Sequence, residues 1–169
     1  MINRVFVLLA LMLASVSCPA LAKTASVTLT ATQPGSNVSG SVLLEETEGG
    51  LKVTANVKNI PAGKHGFHFH ENGSCADAGN AAGSHFNPDA VSHGLLSKDG
   101  FTGAHAGDLG NLEVAPNGSG TYEAVIPGLS LSEGAHNVSG RSVILHAKED
   151  DFGQPTGNAG DRVACGVIR

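Results

Sequence analysis

The chain has 169 residues, with 15 acidic and 10 basic side chains for a formal net charge of −5, and aromatic residues make up only 4 % of it. No patch or run of lysine and arginine is present in the sequence, which argues against a nucleic acid or an anionic lipid surface as a partner. The 23 glycines and 7 prolines divide the sequence into short segments, and no amphipathic helix of convincing length is evident.

The chain begins with the features of a secretory signal peptide. A basic start at Arg4 precedes an apolar run over 5–16 and a small-residue site that ends at Ala22. We predict a cleaved signal peptide over 1–22, which leaves one domain over 23–169. An uncleaved membrane anchor is the alternative, but about 12 apolar residues are too few to cross a bilayer. We therefore expect export without stable membrane association.

Eight short segments have the alternating or β-branched pattern of strands, and turn residues separate them. These segments are 26–32, 37–45, 51–59, 66–71, 110–115, 120–126, 141–147 and 162–168. Strands this short and this frequent predict an all-β sandwich or barrel. Two connections, at about 72–109 and 148–161, are too long for hairpins and are expected to be functional.

Two cysteines, Cys75 and Cys165, remain after removal of the signal peptide, because Cys18 leaves with it. In an oxidising compartment an even pair predicts a disulfide. Closing so long a loop is worth about 4–5 kcal/mol in the chain-entropy model. Two separate buried thiols are the alternative. A lipid on Cys18 is disfavoured, since the residues before it lack the leucine that is usual at such a site.

Histidines and one aspartate form the most informative pattern in the chain. In Gly66-Phe67-His68-Phe69-His70, strand alternation places both imidazoles on one face and both phenyl rings on the other. Five more potential ligands follow in the first long connection and far downstream: His85, His93, His105, Asp108 and His146. Imidazole suits copper and zinc, and a carboxylate beside three imidazoles suits zinc. The pattern predicts two adjacent metal sites.

Several short motifs match a single known family in order and spacing, over essentially all of 24–169. They are 66–70, His85-Phe86-Asn87-Pro88, His93-Gly94, 105–111, Gly140-Arg141, 146–151 and 157–168. On these motifs the chain resembles the copper/zinc superoxide dismutases. The resemblance implies an eight-stranded Greek-key β-barrel. It also implies an antioxidant enzyme that converts the superoxide anion into dioxygen and hydrogen peroxide.

The resemblance further implies the metal ligands, with one copper and one zinc in each subunit. The implied copper ligands are His68, His70, His85 and His146. The implied zinc ligands are His85, His93, His105 and Asp108. His85 is therefore shared between the two metals. Copper is expected to be the redox centre, and zinc, which has no redox chemistry, is expected to be structural.

Four residues take further roles from the resemblance. Arg162 matches the arginine that orients the substrate, and its guanidinium is always charged. His85 is expected to be catalytic as well as a ligand, because it can leave reduced copper and take up a proton. Asp150, preferred over its neighbour Asp151, matches an outer aspartate that links copper-side and zinc-side histidines. His65 is expected to support the copper strand without binding metal.

The sequence departs from many eukaryotic relatives between Asp151 and Thr156, where only four residues stand in place of a longer, charged loop. Such a loop helps to steer an anionic substrate. The remaining candidates for this role are Lys64, Lys98 and Lys148. We therefore expect activity to depend less on ionic strength than in relatives with the long loop.

Other motifs mix features of the bacterial exported branch with features of the eukaryotic branch, and these two branches dimerise through different faces. A homodimer is expected, with a monomer as the alternative. The bacterial periplasm is the expected location, with eukaryotic secretion as the alternative. A copper-handling module and a copper-only relative are competing functions. The presence of all four copper ligands, Arg162 and the zinc set counts against both.

Overall fold

The computed structural model describes residues 22–169. The predicted signal peptide therefore lies, apart from Ala22, outside the described residues. Eight strands close into an antiparallel barrel, so the predicted eight-stranded all-β fold is confirmed. The strands are β1 (Thr24–Ala31), β2 (Ser39–Thr47), β3 (Gly50–Lys58), β4 (Gly63–His70), β5 (Asp108–Val114), β6 (Ser119–Ile126), β7 (Ser142–His146) and β8 (Arg162–Val167).

The barrel runs in the order β1-β2-β3-β6-β5-β4-β7-β8, and β1 pairs with β8 to close it. Five pairings join strands that are consecutive in sequence, and three (β3–β6, β4–β7 and β1–β8) join strands that are not, which is the Greek-key arrangement. Strand β4 lies between β5 and β7. As a result, His68 of β4 stands beside Asp108 of β5 on one side and Ile144 of β7 on the other.

The barrel interior is filled by the apolar residues of each alternating strand. The pattern is clearest in β1, where exposed and buried residues alternate regularly along the strand. Val27, Leu29, Val53 and Leu112 are buried, with no more than 2 % of their surface exposed. Phe67 and Phe69 are fully buried in the same core, as their place between the histidines predicts. Removal of this apolar surface from water is the main force that holds the barrel together.

Three long connections lie outside the barrel, at 71–107, 127–141 and 147–161. The first and third match the two that the sequence predicts, and the sequence analysis did not single out the second. Within the first lie a 3₁₀ turn (Asn80–Ala82) and the only α-helix in the described residues, α1 (Leu96–Asp99). The second connection contacts the first through His136. The His136 ring stacks on Phe101, and its Nε2 lies 2.7 Å from the Oδ2 of Asp89.

The predicted disulfide between Cys75 and Cys165 is confirmed. It ties the first long connection to β8, with the two Cα atoms 5.7 Å apart and a sequence separation of 90. Cys165 is buried and packs beside Ala82 and Ile144. The crosslink thus fixes the start of the connection to the strand that begins with Arg162.

No helix within residues 22–169 has the length and apolar character needed to cross a membrane.

Candidate metal centre

Two groups of potential metal ligands lie side by side at one end of the barrel. We call the first the strand cluster, because three of its four members sit on β4 and β7; it consists of His68, His70, His85 and His146. We call the second the loop cluster, because three of its members lie in the 71–107 connection; it consists of His85, His93, His105 and Asp108. In each cluster the ligand atoms lie within 4.8 Å of one another, and all seven side chains are buried.

Hydrogen bonds at the outer nitrogens fix which ring nitrogen each strand histidine turns inward. The Nδ1 of His70 donates to the carbonyl oxygen of Gly83 at 2.9 Å, and the Nδ1 of His146 donates to that of Gly160 at 3.1 Å. Their Nε2 atoms therefore face the cluster, 3.4 Å from each other. His68 is reversed, since its Nε2 donates to Asp150 at 2.8 Å and its Nδ1 faces inward. Such outer bonds set both the tautomer and the basicity of an imidazole ligand.

The loop cluster gathers around the carboxylate of Asp108, the first residue of β5. The Nδ1 atoms of His85, His93 and His105 lie 2.8, 2.9 and 3.1 Å from its oxygens. The backbone amides of Gly94 and His105 also donate to its Oδ2, at 3.0 and 2.9 Å. This cluster therefore offers three nitrogens and one carboxylate in an enclosed site, the donor set that zinc favours.

His85 stands between the clusters and belongs to both. Its Nδ1 faces Asp108 of the loop cluster. Its ring centre lies 4.1 Å from that of His68 and 4.9 Å from that of His70. A short bridge pairs the backbone of His85 with that of His70, and the adjacent Phe86 amide donates to the Phe69 carbonyl at 2.9 Å. The first long connection thus carries His85 back onto β4, where one imidazole can serve two metals.

Two buried nitrogens indicate that these clusters fit metal ions. The Nδ1 atoms of His68 and His93 have no hydrogen-bond partner, although both are shielded from solvent. For His93 this holds even though an Asp108 oxygen lies 2.9 Å away, because the two atoms are not aligned as donor and acceptor. Buried polar atoms are nearly always paired. Each of these two unpaired nitrogens belongs to a group of ligand atoms that lie within 4.8 Å of one another, which fits a common cation at the centre of each group.

The charges of the two clusters differ. Burial lowers the pKa of His68 to about 3 and that of His146 to about 4, and it lowers the pKa of His70 further, so the strand histidines are neutral at pH 7. Burial also opposes charge on His93, but its close contacts with the carboxylates of Asp108 and Asp150 outweigh it and raise its pKa to about 9. Neutral imidazole is the form that binds metal. The strand cluster is therefore ready for a metal, whereas protons compete with a metal at His93.

The Asp150 carboxylate lies between the two clusters on the side away from the pocket. One oxygen accepts from the Nε2 of His68 at 2.8 Å, and the other lies 3.0 Å from the Nε2 of His93. Asp150 is fully buried, and the hydrogen bonds from His68 and His93 keep its pKa below the usual range despite burial. Asp151 is exposed and instead accepts from Gly153 and Asn158 within its own loop.

A pocket of about 280 Å³ opens onto the strand cluster. His70, His85 and His146 line it, together with Arg162 and residues of the third long connection. The Arg162 guanidinium is anchored through Nη1 to the Gly79 carbonyl at 2.5 Å and through Nη2 to the Gly83 carbonyl at 2.6 Å. A fixed cation beside three imidazoles suits an anion.

The structure brings all seven predicted ligands together in these two clusters and places Arg162 and Asp150 next to them. His65 is buried outside both clusters, with Nδ1 on the His146 carbonyl and Nε2 on the Pro61 carbonyl, each at 2.9 Å. Three supporting residues were missed by the sequence analysis: Gly83, Gly160 and Gln154. The first two act through backbone carbonyls, which have no sequence signal, and Gln154 is 61 residues from the histidine that it contacts.

Comparisons with known proteins agree with this geometry. The family model described as copper/zinc superoxide dismutase matches residues 38–168. An extracellular Cu-Zn superoxide dismutase of Caenorhabditis elegans is 39 % identical over 136 residues, which cover 76 % of this chain and 60 % of the relative. A Cu-Zn superoxide dismutase of Brassica juncea is 39 % identical over 139 residues, which cover 78 % of this chain and 89 % of the relative.

A crystal structure of the clock protein EA4 has the same fold, with a TM-score of 0.77 and 34 % identity over 90 % of this chain and 97 % of that one. The family model spans most of the chain, and the plant relative is covered over most of its length. The expected resemblance is therefore confirmed, and with it copper and zinc as the metals that this family uses. The chain belongs to the copper/zinc superoxide dismutase family.

Proposed function

We propose that this protein disproportionates superoxide: two superoxide anions and two protons give one dioxygen and one hydrogen peroxide. The observation that carries the proposal is the pair of four-ligand clusters joined by His85, with one of them opening onto a pocket that contains Arg162. Family membership and the named activity of the relatives support it. The chain spans 60 % of the length of the nematode relative, so activity is proposed here for the shared domain.

The donor sets support a different metal in each cluster. We place copper at His68, His70, His85 and His146, and zinc at His85, His93, His105 and Asp108. Four imidazoles next to an open pocket suit a redox metal that must meet substrate, whereas a closed site with a carboxylate suits zinc. When bound, copper supplies one-electron redox chemistry, and zinc supplies charge and rigidity.

The residues of the chain bind and orient the anion. Arg162, held by two carbonyl oxygens, presents its remaining donor capacity and its full charge toward the pocket. Because the Gly83 carbonyl accepts from both Arg162 and His70, the distance between the guanidinium and the strand cluster is fixed by one peptide group. Arg162 is thus pre-positioned for substrate, which lowers the cost of binding.

His85 is the residue placed to move a proton. Its Nδ1 faces the loop cluster, so its Nε2 is the atom that faces the strand cluster and the pocket. Burial lowers the pKa of His85, although its contact with Asp108 opposes that shift. A proton held at Nε2 would face the pocket, from which it can pass to a bound product. This is the role that we propose for His85 beyond binding metal.

Steering of the anion depends on few cations. Lys148 is exposed, and its aliphatic stem lies over Gly160, which lines the pocket. Lys64 pairs with Glu149 at 3.0 Å, so its charge is partly compensated. The chain itself is net negative. We therefore propose Lys148 as the main steering cation beside Arg162, with a modest effect on the rate.

The extracellular relative and the disulfide support an exported protein. Within that, we propose the bacterial periplasm as the location, with secretion from a eukaryotic cell as the alternative. We also propose a homodimer without stable membrane association, with a monomer as the alternative. Light scattering of the purified mature protein distinguishes the two assemblies, and signal-peptide fusion to a reporter in a bacterial host tests the location.

The activity is tested by the decay of superoxide after pulse radiolysis, with mature protein loaded with copper and zinc and with free copper removed by a chelator. We expect a rapid decay whose rate is proportional to bound copper. Tight copper binding without catalytic decay would contradict the proposal and would indicate a copper-handling protein instead.

A further inference from the structure

His93 is held from three directions by alternate residues of one short segment in the third long connection. Asp150 binds the Nε2 of the ring, the Phe152 ring lies nearly parallel to it at 6.3 Å, and the Gln154 side chain binds the backbone. Gly157 packs against the Asp150 carboxylate and the Nε2 of His93. A Cβ at this position would collide with both, so the close packing requires glycine. The His93 residue is only 4 % exposed within this enclosure.

Gln154 makes a paired contact with the His93 peptide groups. Its Oε1 accepts from the His93 amide at 3.0 Å, and its Nε2 donates to the His93 carbonyl at 2.8 Å. No backbone group in the described residues bonds to either of these two His93 atoms. A primary amide is the side chain that offers one donor and one acceptor in this fixed geometry. Gln154 therefore replaces the strand partner that His93 lacks.

This contact joins two connections that are otherwise far apart in sequence, and it acts directly on a ligand of the loop cluster. The 147–161 connection is short beyond Asp151, so few of its residues can hold His93 in place. A ligand whose backbone is fixed has less freedom to swing away from a metal. The same contact fixes the segment that carries Asp150, which in turn bonds to His68 of the strand cluster.

We propose that Gln154 is a positioning residue of the zinc site: it sets the orientation of His93 and slows the release of zinc. The inference rests on the proposed assignment of zinc to the loop cluster. Gln154 itself does not contact the metal ligand atoms, and its residue is exposed to solvent. It acts through the His93 backbone alone.

The test compares Gln154→Met and Gln154→Glu with the parent protein in its mature form. Methionine is of similar length but removes both hydrogen bonds, and glutamate keeps an acceptor but sets a carboxylate oxygen against the His93 carbonyl. Gln33 provides matched controls, because it also precedes a proline in an exposed turn, and its side chain bonds to none of the described residues. Gln33→Met and Gln33→Glu repeat the same chemical changes away from His93.

Two readouts are needed. The first is the rate at which zinc passes from the copper- and zinc-loaded protein to a chromophoric chelator. We expect it to rise about five- to tenfold in both Gln154 variants and to stay at the parent value in both Gln33 variants. The second is the visible spectrum of Co²⁺ in place of zinc, with copper kept reduced so that cobalt alone absorbs. We expect the cobalt bands to shift in the Gln154 variants only.

The outcomes separate the possible failures. If the zinc release rate and the cobalt spectrum of the Gln154 variants equal those of the parent, Gln154 has no positioning role. If only the melting temperature of the metal-free protein falls, Gln154 merely joins two loops, and the proposal is overturned. If the parent itself gives no cobalt spectrum of a four-ligand nitrogen and oxygen site, or if His93→Ala leaves that spectrum unchanged, the assignment of the loop cluster to zinc is wrong, and the role of Gln154 falls with it.

Discussion

The strand cluster and the loop cluster use the same side chain, histidine, in opposite ways. Three strand histidines sit on paired strands of the barrel, and their outer nitrogens bond to two backbone carbonyls and to Asp150. The loop histidines lie in a long connection, and their side chains contact the carboxylates of Asp108 and Asp150. One cluster is neutral and opens to a pocket, and the other is charged and closed.

This difference indicates that the fold places the proposed catalytic metal in the strand cluster and the proposed structural metal in the loop cluster. Three of the four ligands of the strand cluster are held by the hydrogen-bond ladder of β4, β7 and β8, whereas His85 comes from the first long connection. The loop cluster lacks such a ladder, and we expect its order to depend on the Asp108 carboxylate at its centre and on a bound cation. Loss of the strand metal should therefore cost activity alone, whereas loss of the loop metal should also cost order in the 71–107 connection.

The largest effect is expected for His146→Ala, which removes one ligand of the strand cluster. Superoxide disproportionation should be abolished, because copper can no longer be held by four imidazoles, while the barrel remains folded. Activity, copper content and far-ultraviolet circular dichroism measure this. His136→Ala, which removes a histidine outside both clusters, serves as the control and should keep its activity. Full activity in His146→Ala would remove that residue from the copper site.

The next effect is expected for Asp108→Ala, at the centre of the loop cluster. Zinc should be lost, the 71–107 connection should loosen, and chelators should strip copper about tenfold faster or more, because His85 is no longer held. Copper release and hydrogen exchange of the connection measure this. Asp99→Ala, in the same connection but outside both clusters, should release copper as the parent does. Equal copper release by Asp108→Ala and Asp99→Ala would contradict the supporting role of zinc.

A smaller effect is expected for Arg162→Ala, which leaves both clusters intact but removes the cation from the pocket. The value of kcat/KM should fall about tenfold to a hundredfold, with unchanged copper and zinc content. Arg162→Lys keeps the charge without the planar fork and should recover only part of the rate. Kinetics equal to those of the parent would exclude Arg162 from the substrate path.

The charge difference between the clusters predicts the acid sensitivity of the metal-free protein. His68 and His146 have folded pKa values of about 3 and about 4, below the ordinary value of 6.5, so the unfolded chain binds more protons in this range. The contribution of these two histidines to the free energy of unfolding is thus complete above pH 6.5, and it is lost as the pH falls toward 4. The opposite shift of His93 acts between pH 6.5 and about 9, where its stabilisation is lost as the pH rises.

Urea unfolding of the metal-free protein between pH 6.5 and 4 measures this dependence. His146→Gln removes one of the groups with a lowered pKa. The slope of the unfolding free energy against pH should therefore fall by up to about one proton, or about 1.4 kcal/mol per pH unit. A variant slope identical to that of the parent would show that His146 does not titrate below its ordinary range.

The smallest effect is expected from steering. Lys148→Gln should lower kcat/KM about twofold at low salt, and the difference should vanish at high salt, because screening removes the attraction. Lys64→Gln, whose lysine is already paired with Glu149, should change the rate less. A steep fall in the activity of the parent with added salt would contradict the expected weak steering.

The sequence predicted the barrel well, and the candidate ligands lie together in two clusters, because both depend on local patterns. Alternation marks each strand, since one face of the pleat is buried, and it also places His68 and His70 on the same face. The predicted strands agree with those observed to within a few residues at their ends. The ligand assignment came from the family resemblance, which alone could not show that the Nδ1 of His68 and the Nε2 atoms of His70 and His146 turn inward.

Other parts of the site could not be predicted, for physical reasons. The acceptors that orient His70 and His146 are the carbonyls of Gly83 and Gly160, and a carbonyl is present at every residue. The contact of Gln154 with His93 spans two connections whose paths are set by tertiary packing. The pairing of His136 with Asp89 joins two connections in the same way. Such contacts depend on tertiary packing, which the periodicity of the sequence does not show.

We propose that the two clusters hold different metals and share His85. Anomalous diffraction from crystals of the mature protein, collected at the copper and zinc absorption edges, tests this proposal. We expect copper at the Nδ1 of His68 and the Nε2 atoms of His70 and His146. We expect zinc at the Nδ1 atoms around Asp108, with the His85 ring between the two ions. The same metal in both clusters under balanced loading, or a His85 ring that contacts only one ion in the oxidised protein, would contradict it.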